Sequence, residues 1–282
     1  MPTVDSQFKS QASISFDRPP LVETVLGVQF NADFALKTHL LYQFIEHLGG
    51  DWKPPEEVPF LDFQHETFDP GTSWSPFLEN SKIQIFPDLP PIRLRAKNKA
   101  NDRMIQIQNG RLHYNWLKTE NQEYPRYAKV RPEFDKVFTQ WKEFLSSKSI
   151  ALKENQWQIT YINHIPKGTV WEHPSDWLRM FNQESNVQPC QGLTLESFSS
   201  RLTFEIAPKR GRLHVHAVRA QATNEKSEIK EVIRMDLTAR GPVEGDQRNL
   251  DSGLNLGHDT IVNAFEGLTK NAKTHQYWGH KR

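Results

Sequence analysis

The chain has 282 residues, 37% of them hydrophobic and 11% aromatic, with 8 Trp and 17 Phe; that size and composition support a real core and exclude a disordered tail. Lys plus Arg number 35 against 34 Asp plus Glu, which argues against broad, non-specific coating of nucleic acid. The single cysteine, Cys190, excludes an intrachain disulfide and a cysteine-based zinc cluster. No run of about 18 apolar residues appears and no signal-peptide core opens the chain, so a cytoplasmic location with no membrane association is expected.

Residues 1–17 are polar with scattered Phe and read as a flexible leader. Arg18-Pro19-Pro20 punctuates, because proline fixes φ and donates no hydrogen bond. From Leu21 to Phe30 the side chains of Val22, Thr24, Leu26, Val28 and Phe30 share one strand face and Glu23 lies on the other. Leu36, Leu40, Leu41, Phe44, Ile45 and Leu48 fall at helical spacing, with Gly49-Gly50 as the stop. Strands are expected at Phe60–Phe63, Lys82–Phe86, Ile92–Ala96, Met104–Gln108 and Arg111–Trp116. Asn109-Gly110 marks a hairpin, since that pair tolerates the positive φ of a type I′ turn. Val130, Phe134, Val137, Phe138, Trp141, Phe144 and Leu145 form the clearest apolar helix stripe, with Pro132 suited to its first turn.

After residue 150 the order repeats. Trp157–Ile165 reads as a strand and His173–Phe181 as a short helix. Leu193–Ile206, Arg212–Ala220 and Glu228–Ala239 read as strands, and Leu254–Lys270 as a last helix. The expected fold class is therefore α+β: two consecutive β-α-β(n)-α halves, 18–150 and 151–282, with antiparallel sheets and helices on one face, packed as one unit. Such an architecture is like a duplicated TATA-box-binding-protein fold or a helix-grip fold, an analogy that carries no function.

With one sheet face under helices, alternation puts Arg93, Arg95, Gln106, Gln108, Arg212, His214, His216, Arg234, Asp236, Thr238 and Arg240 on the other. Guanidinium forks there could grip a carboxylate or phosphate bidentately; a plain solvated sheet face is the alternative. His214-x-His216, with Asp236 as neighbour, is the sharpest local pattern for a metal or phosphoester, though a zinc site normally needs a third protein ligand. The aromatic residues Trp116, Tyr124 and Tyr127 around Pro125-Arg126 read as a staple at the helix entry. No phosphate loop, dinucleotide fingerprint, nucleophile elbow, HExxH or calcium loop occurs, and neither metal nor cofactor is expected.

The segments Arg18-Pro19-Pro20-Leu21-Val22-Glu23, Tyr124-Pro125-Arg126-Tyr127, Tyr161-Ile162-Asn163-His164, Leu250-Asp251, Gly257-His258-Asp259, Ile261-Val262, Phe265, Leu268-Thr269, His275 and Trp278-Gly279 carry a resemblance. Across residues 18–279 the chain resembles a sporadically distributed bacterial family of uncharacterised proteins that end in a Trp-Gly motif. The resemblance implies no activity; the family's patchy distribution implies genes on mobile elements, including phage-defence clusters. The expected function is a non-catalytic binding or accessory protein that holds an anionic small molecule, nucleic acid or protein partner. The site would be the Arg-rich sheet face or the cleft between halves. The alternative is a phosphoester- or nucleotide-processing enzyme centred on His214, His216 and Asp236.

Overall fold

A computed structural model describes residues 14–32, 36–68, 92–120, 122–180, 192–193, 195–197, 199–223, 227–243, 249–270 and 272–281. Up to residue 150 the elements are β1 (Ser15–Phe16), β2 (Leu21–Ala32), α1 (Thr38–His47), β3 (Glu56–Pro59), β4 (Ile92–Lys97), β5 (Arg103–Gln108), β6 (Arg111–Leu117) and α2 (Tyr127–Ser147). After it come β7 (Leu152–Pro166), α3 (Pro174–Met180), β8 (Ser199–Ile206), β9 (Gly211–Thr223), β10 (Ile229–Pro242), α4 (Leu250–Leu268), α5 (Ala272–Trp278) and β11 (His280–Lys281). A kinked helical turn, Ala207–Arg210, joins β8 to β9.

The class is α+β, built on one antiparallel sheet of nine strands in the order β3-β4-β5-β6-β2-β7-β10-β9-β8. The sheets expected for separate halves are thus one sheet. β2 and β7 pair from Leu21↔Asn163 to Ala32↔Leu152, with shifts at Leu21/Glu23 and Gln29/Phe30. The register sets Thr24, Leu26 and Val28 of β2 beside Tyr161, Ile159 and Trp157 of β7 on one face of the sheet. β6 and β10 flank this central pair.

Helices α1, α2 and α4 cover one face. Their stripes bury Leu41, Phe44 and Ile45, then Phe134, Phe138, Trp141 and Leu145, then Leu254, Ile261 and Phe265. Against them lie Leu26, Val28, Leu94, Ile105, Ile107, Leu112, Trp116, Trp157, Ile159 and Leu237, all at most 2% exposed. α2 starts five residues before Pro132, because Arg126 adopts φ 71° and turns the chain into the helix at Tyr127. Pro132 therefore sits inside the helix and not in its first turn.

Four other sequence expectations resolve differently. Phe60–Phe63 is not a strand; residues 60–68 cross the sheet's polar face as an irregular strap, while β3 lies just before it. Within Leu193–Ile206 the strand occupies only Ser199–Ile206, and Lys82–Phe86 lies outside the described residues. In the β5–β6 hairpin the positive φ falls on Gly110 alone, not on Asn109 as well. Finally, the end of the expected leader is ordered: Ser15 and Phe16 pair with Lys281 and His280. Phe16, 5% exposed, packs edge-on against Phe265 and Trp278. The backbone amides of Asp17 and Arg18 donate to the carbonyls of Gly279 and Trp278. Segments from the two ends of the described chain thus clasp each other beside α4.

Candidate functional site

Every residue expected on the uncovered face is there. Cross-strand neighbours run Arg95–Gln106–His113 on one side of the sheet and His216–Asp236 on the other. β4 and β10 are five strand spacings apart, roughly 24 Å, so Arg93 and Arg95 cannot share one small ligand with Arg234, Asp236, His214 or His216. Their side chains also have local partners. Arg95 Nη2 donates to Glu56 at 2.7 Å, Arg93 to the Gln106 carbonyl, and Arg234 Nε to both oxygens of Asp236 at 2.9 and 3.1 Å. His214 and His216 turn to different partners. His216 faces Asp236 and Arg201 across the ladders, and burial, reinforced by Arg201, lowers its pKa. Among the described residues, no group of three or more His, Cys, Asp or Glu is placed to hold a metal ion.

His214 instead joins a carboxylate cradle. Glu66 of the strap, 7% exposed, accepts from Arg212 Nη1 at 2.8 Å, from His214 Nε2 at 2.7 Å and from Arg240 Nε and Nη2 at 3.1 and 3.0 Å. A carboxylate only accepts, so Nε2 of His214 donates to it, while Nδ1 faces the Thr203 hydroxyl at 3.3 Å. Burial alone would raise the Glu66 pKa; the hydrogen bonds and charges of His214, Arg240 and Arg212 outweigh it and hold the acid down to about 2. The amide side chains of this face hold the strap. Gln108 exchanges two hydrogen bonds with the backbone of Leu61, Gln29 two with Gln64, and Gln156 accepts from the amide of Glu66. Much of the Arg- and Gln-rich face therefore already holds an anionic peptide, and that peptide is its own.

The opposite side of the sheet carries a cavity of about 400 Å³. Its floor is Leu21 on β2, Tyr161 and Asn163 on β7 and Leu237 on β10; α4 supplies His258, Ile261, Val262 and Phe265; the entry to α2 supplies Tyr124, Arg126, Tyr127 and Ala128, and the Phe16 clasp closes one side. It lies where the start of α2 and the middle of α4 approach over β7. The approach is fixed by hydrogen bonds: Arg131, 9% exposed, donates to Asp251 at 2.7 Å, and the Tyr127 hydroxyl donates to Asn255 at 2.9 Å.

The polar groups in this wall form one relay. The Tyr161 hydroxyl lies 3.1 Å from that of Tyr124 and 2.8 Å from His258 Nδ1, and Tyr127 stacks flat on the His258 ring at 4.1 Å. Burial pushes His258 down to about 4 and Tyr161 well above its ordinary value. At neutral pH both are therefore uncharged, and the relay is a set of oriented dipoles. Asn163, 4% exposed, donates from Nδ2 to the Met235 carbonyl at 3.1 Å. Its own carbonyl oxygen has no donor among the described residues.

Sequence reading placed Tyr124 and Tyr127 as a staple, and Tyr124 does pack on Trp116 at 5.0 Å; that both also line a cavity was missed. So were Tyr161, Asn163 and His258. The signal was present: Tyr161 and Asn163 interrupt the inward series Trp157, Ile159, Ile165, and His258 occupies a stripe position between Leu254 and Ile261. Tyr124, Arg126, Tyr127, Tyr161, Asn163 and His258 all stand in this wall. In comparisons with known proteins, no family model and no curated protein matches the chain.

Proposed function

We propose that this is a non-catalytic binding protein that holds one small organic molecule in the cavity between α2, α4 and β7. One observation carries the reading: a partly open, mostly apolar and aromatic space of about 400 Å³ into which a few polar side chains converge, the form that small-molecule sites take. The relay supports binding over catalysis. A neutral His258 beside a Tyr161 whose pKa is raised offers hydrogen bonds, not a nucleophile or a strong base. The Arg93–Arg95 and Arg234–Asp236 groups take no part in this site, and neither does the His214–His216 strand.

The test is a panel of aromatic amphiphiles of about 10 to 20 non-hydrogen atoms, a size suited to such a pocket, read by calorimetry on wild type and Val262→Trp. Val262 is a half-buried wall residue, so the indole fills the space. At least one compound is expected to bind wild type saturably at one per chain, with at least about tenfold weaker binding to the variant, while the variant still unfolds cooperatively. A panel without a saturable binder, or equal binding to the folded variant, would refute the reading.

A further inference from the structure

The cavity is chemically polarised, and its two ends ask for different groups. At the mouth stands Arg126, exposed, its Nη1 donating 3.0 Å to the Phe16 carbonyl. It is the one ordinarily ionised side chain in the described wall. Directly behind it α2 begins with no side-chain cap and no acidic residue in its first turn. The first α2 amides to find an acceptor are those of Lys129 and Val130, both on the Arg126 carbonyl. Among the described residues those of Tyr127 and Ala128, both in the wall, have none. The mouth therefore combines a guanidinium fork, two unpaired N–H donors and the positive end of a 21-residue helix. The neighbouring cation, Arg131, is already balanced by Asp135 and Asp251 at 2.9 and 2.7 Å.

At the inner end the demand is reversed. The Met235 carbonyl can only accept, so it fixes the Asn163 amide nitrogen and leaves the carboxamide oxygen as an acceptor in the cavity wall. A ligand hydroxyl or N–H that reaches this oxygen has an acceptor held in place for it. Between the ends the wall is Leu21, Leu237, Ile261, Val262 and Phe265.

Resting on the reading of the cavity as a binding site, we infer that its ligand is a singly charged carboxylic acid with an apolar or aromatic body. The carboxylate sits at Arg126 and the start of α2, and a hydrogen-bond donor at the far end reaches Asn163. A planar carboxylate matches one guanidinium and two amides; a doubly charged phosphate would want more donors than the mouth provides.

The probe pair is 3-(4-hydroxyphenyl)propanoate and its primary amide, equal in shape and differing by one charge. Calorimetry on wild type is expected to give at least about tenfold tighter binding of the acid. In Arg126→Gln the two affinities converge because the acid weakens and the amide does not. Arg126→Lys keeps part of the preference. Equal affinities in wild type, or an unchanged acid-to-amide ratio in Arg126→Gln, would overturn the inference and leave the cavity reading standing. Failure of both compounds, together with failure of the wider amphiphile panel, would remove the cavity reading and the inference with it.

Discussion

Replacing Glu66 with Gln is expected to lower the unfolding free energy by about 3 kcal/mol at neutral pH, the worth of holding an acid at about 2 instead of 4.5. Gln keeps the shape and removes the charge, so Arg212 and Arg240, with side chains 17% and 12% exposed, face each other and His214 without a counter-ion. The effect has a defined pH window. The Glu66 pKa is depressed in the folded protein, so its contribution is complete above about pH 4.5 and is lost as pH falls toward 2. Urea unfolding at pH 7, 5 and 3 checks this. The gap between wild type and variant should be constant from pH 7 to 5 and shrink to roughly half by pH 3. A gap below about 1 kcal/mol at pH 7, or one that does not narrow in acid, would show that the cradle does not hold the carboxylate as described. The strap should also become the first site of proteolytic nicking in the variant, since Glu66 is its deepest anchor.

A second large effect concerns how α4 reaches the sheet. Trp157, 2% exposed, is wrapped by Gly211, Gly241, Gly253 and Gly257. A Cβ on Gly253 would meet the Trp157 ring at 2.3 Å, and one on Gly257 would meet Ile159 at 2.5 Å. Gly253→Ala is therefore expected to cost about 2–3 kcal/mol through overpacking, even though alanine is the better helix former. Gly267→Ala is the control in the same helix: nothing lies within 4 Å of its added methyl, so the same chemical change should be neutral or stabilise by up to about 1 kcal/mol. Opposite signs in the two unfolding midpoints are the expected result. Equal signs would mean that α4 does not rest on Trp157. Because His258, Ile261 and Val262 ride on α4, Gly253→Ala should also weaken ligand binding, and Gly267→Ala should not.

Much of this architecture is legible from periodicity. Strand alternation in β4, β5, β9 and β10 separates Leu94, Ile105, Leu213 and Leu237 from Arg93, Gln106, His214 and Asp236, and all of them fall on the expected sides. The helix stripes of α1, α2 and α4 are equally plain, because burial on one face imposes a 3.6-residue period. What alternation cannot express is a contact between distant segments. Residues 60–68 have a strand-like composition, yet Gln29, Gln108, Gln156 and Arg212 capture their backbone from four different strands. Only the fold brings those side chains under one peptide. The cavity was hidden for a related reason. Tyr161, Asn163 and His258 occupy core positions in the pattern and read as tolerated polar residues. The space appears only when the start of α2 and the middle of α4 are seen standing apart over β7. The arginines of the polar face are conspicuous in the sequence because they are charged, whereas in the fold most of them are balanced by neighbours within the same face.

The most direct test of the cavity as the binding site is an aromatic carbon–proton correlation spectrum recorded while 3-(4-hydroxyphenyl)propanoate is titrated in. The expected result is a set of shifts confined to Tyr124, Tyr127, Tyr161, His258 and Phe265, saturating at one molecule per chain. Saturating shifts at His164, His214 and His216 on the opposite sheet face, with the cavity rings unmoved, would contradict it.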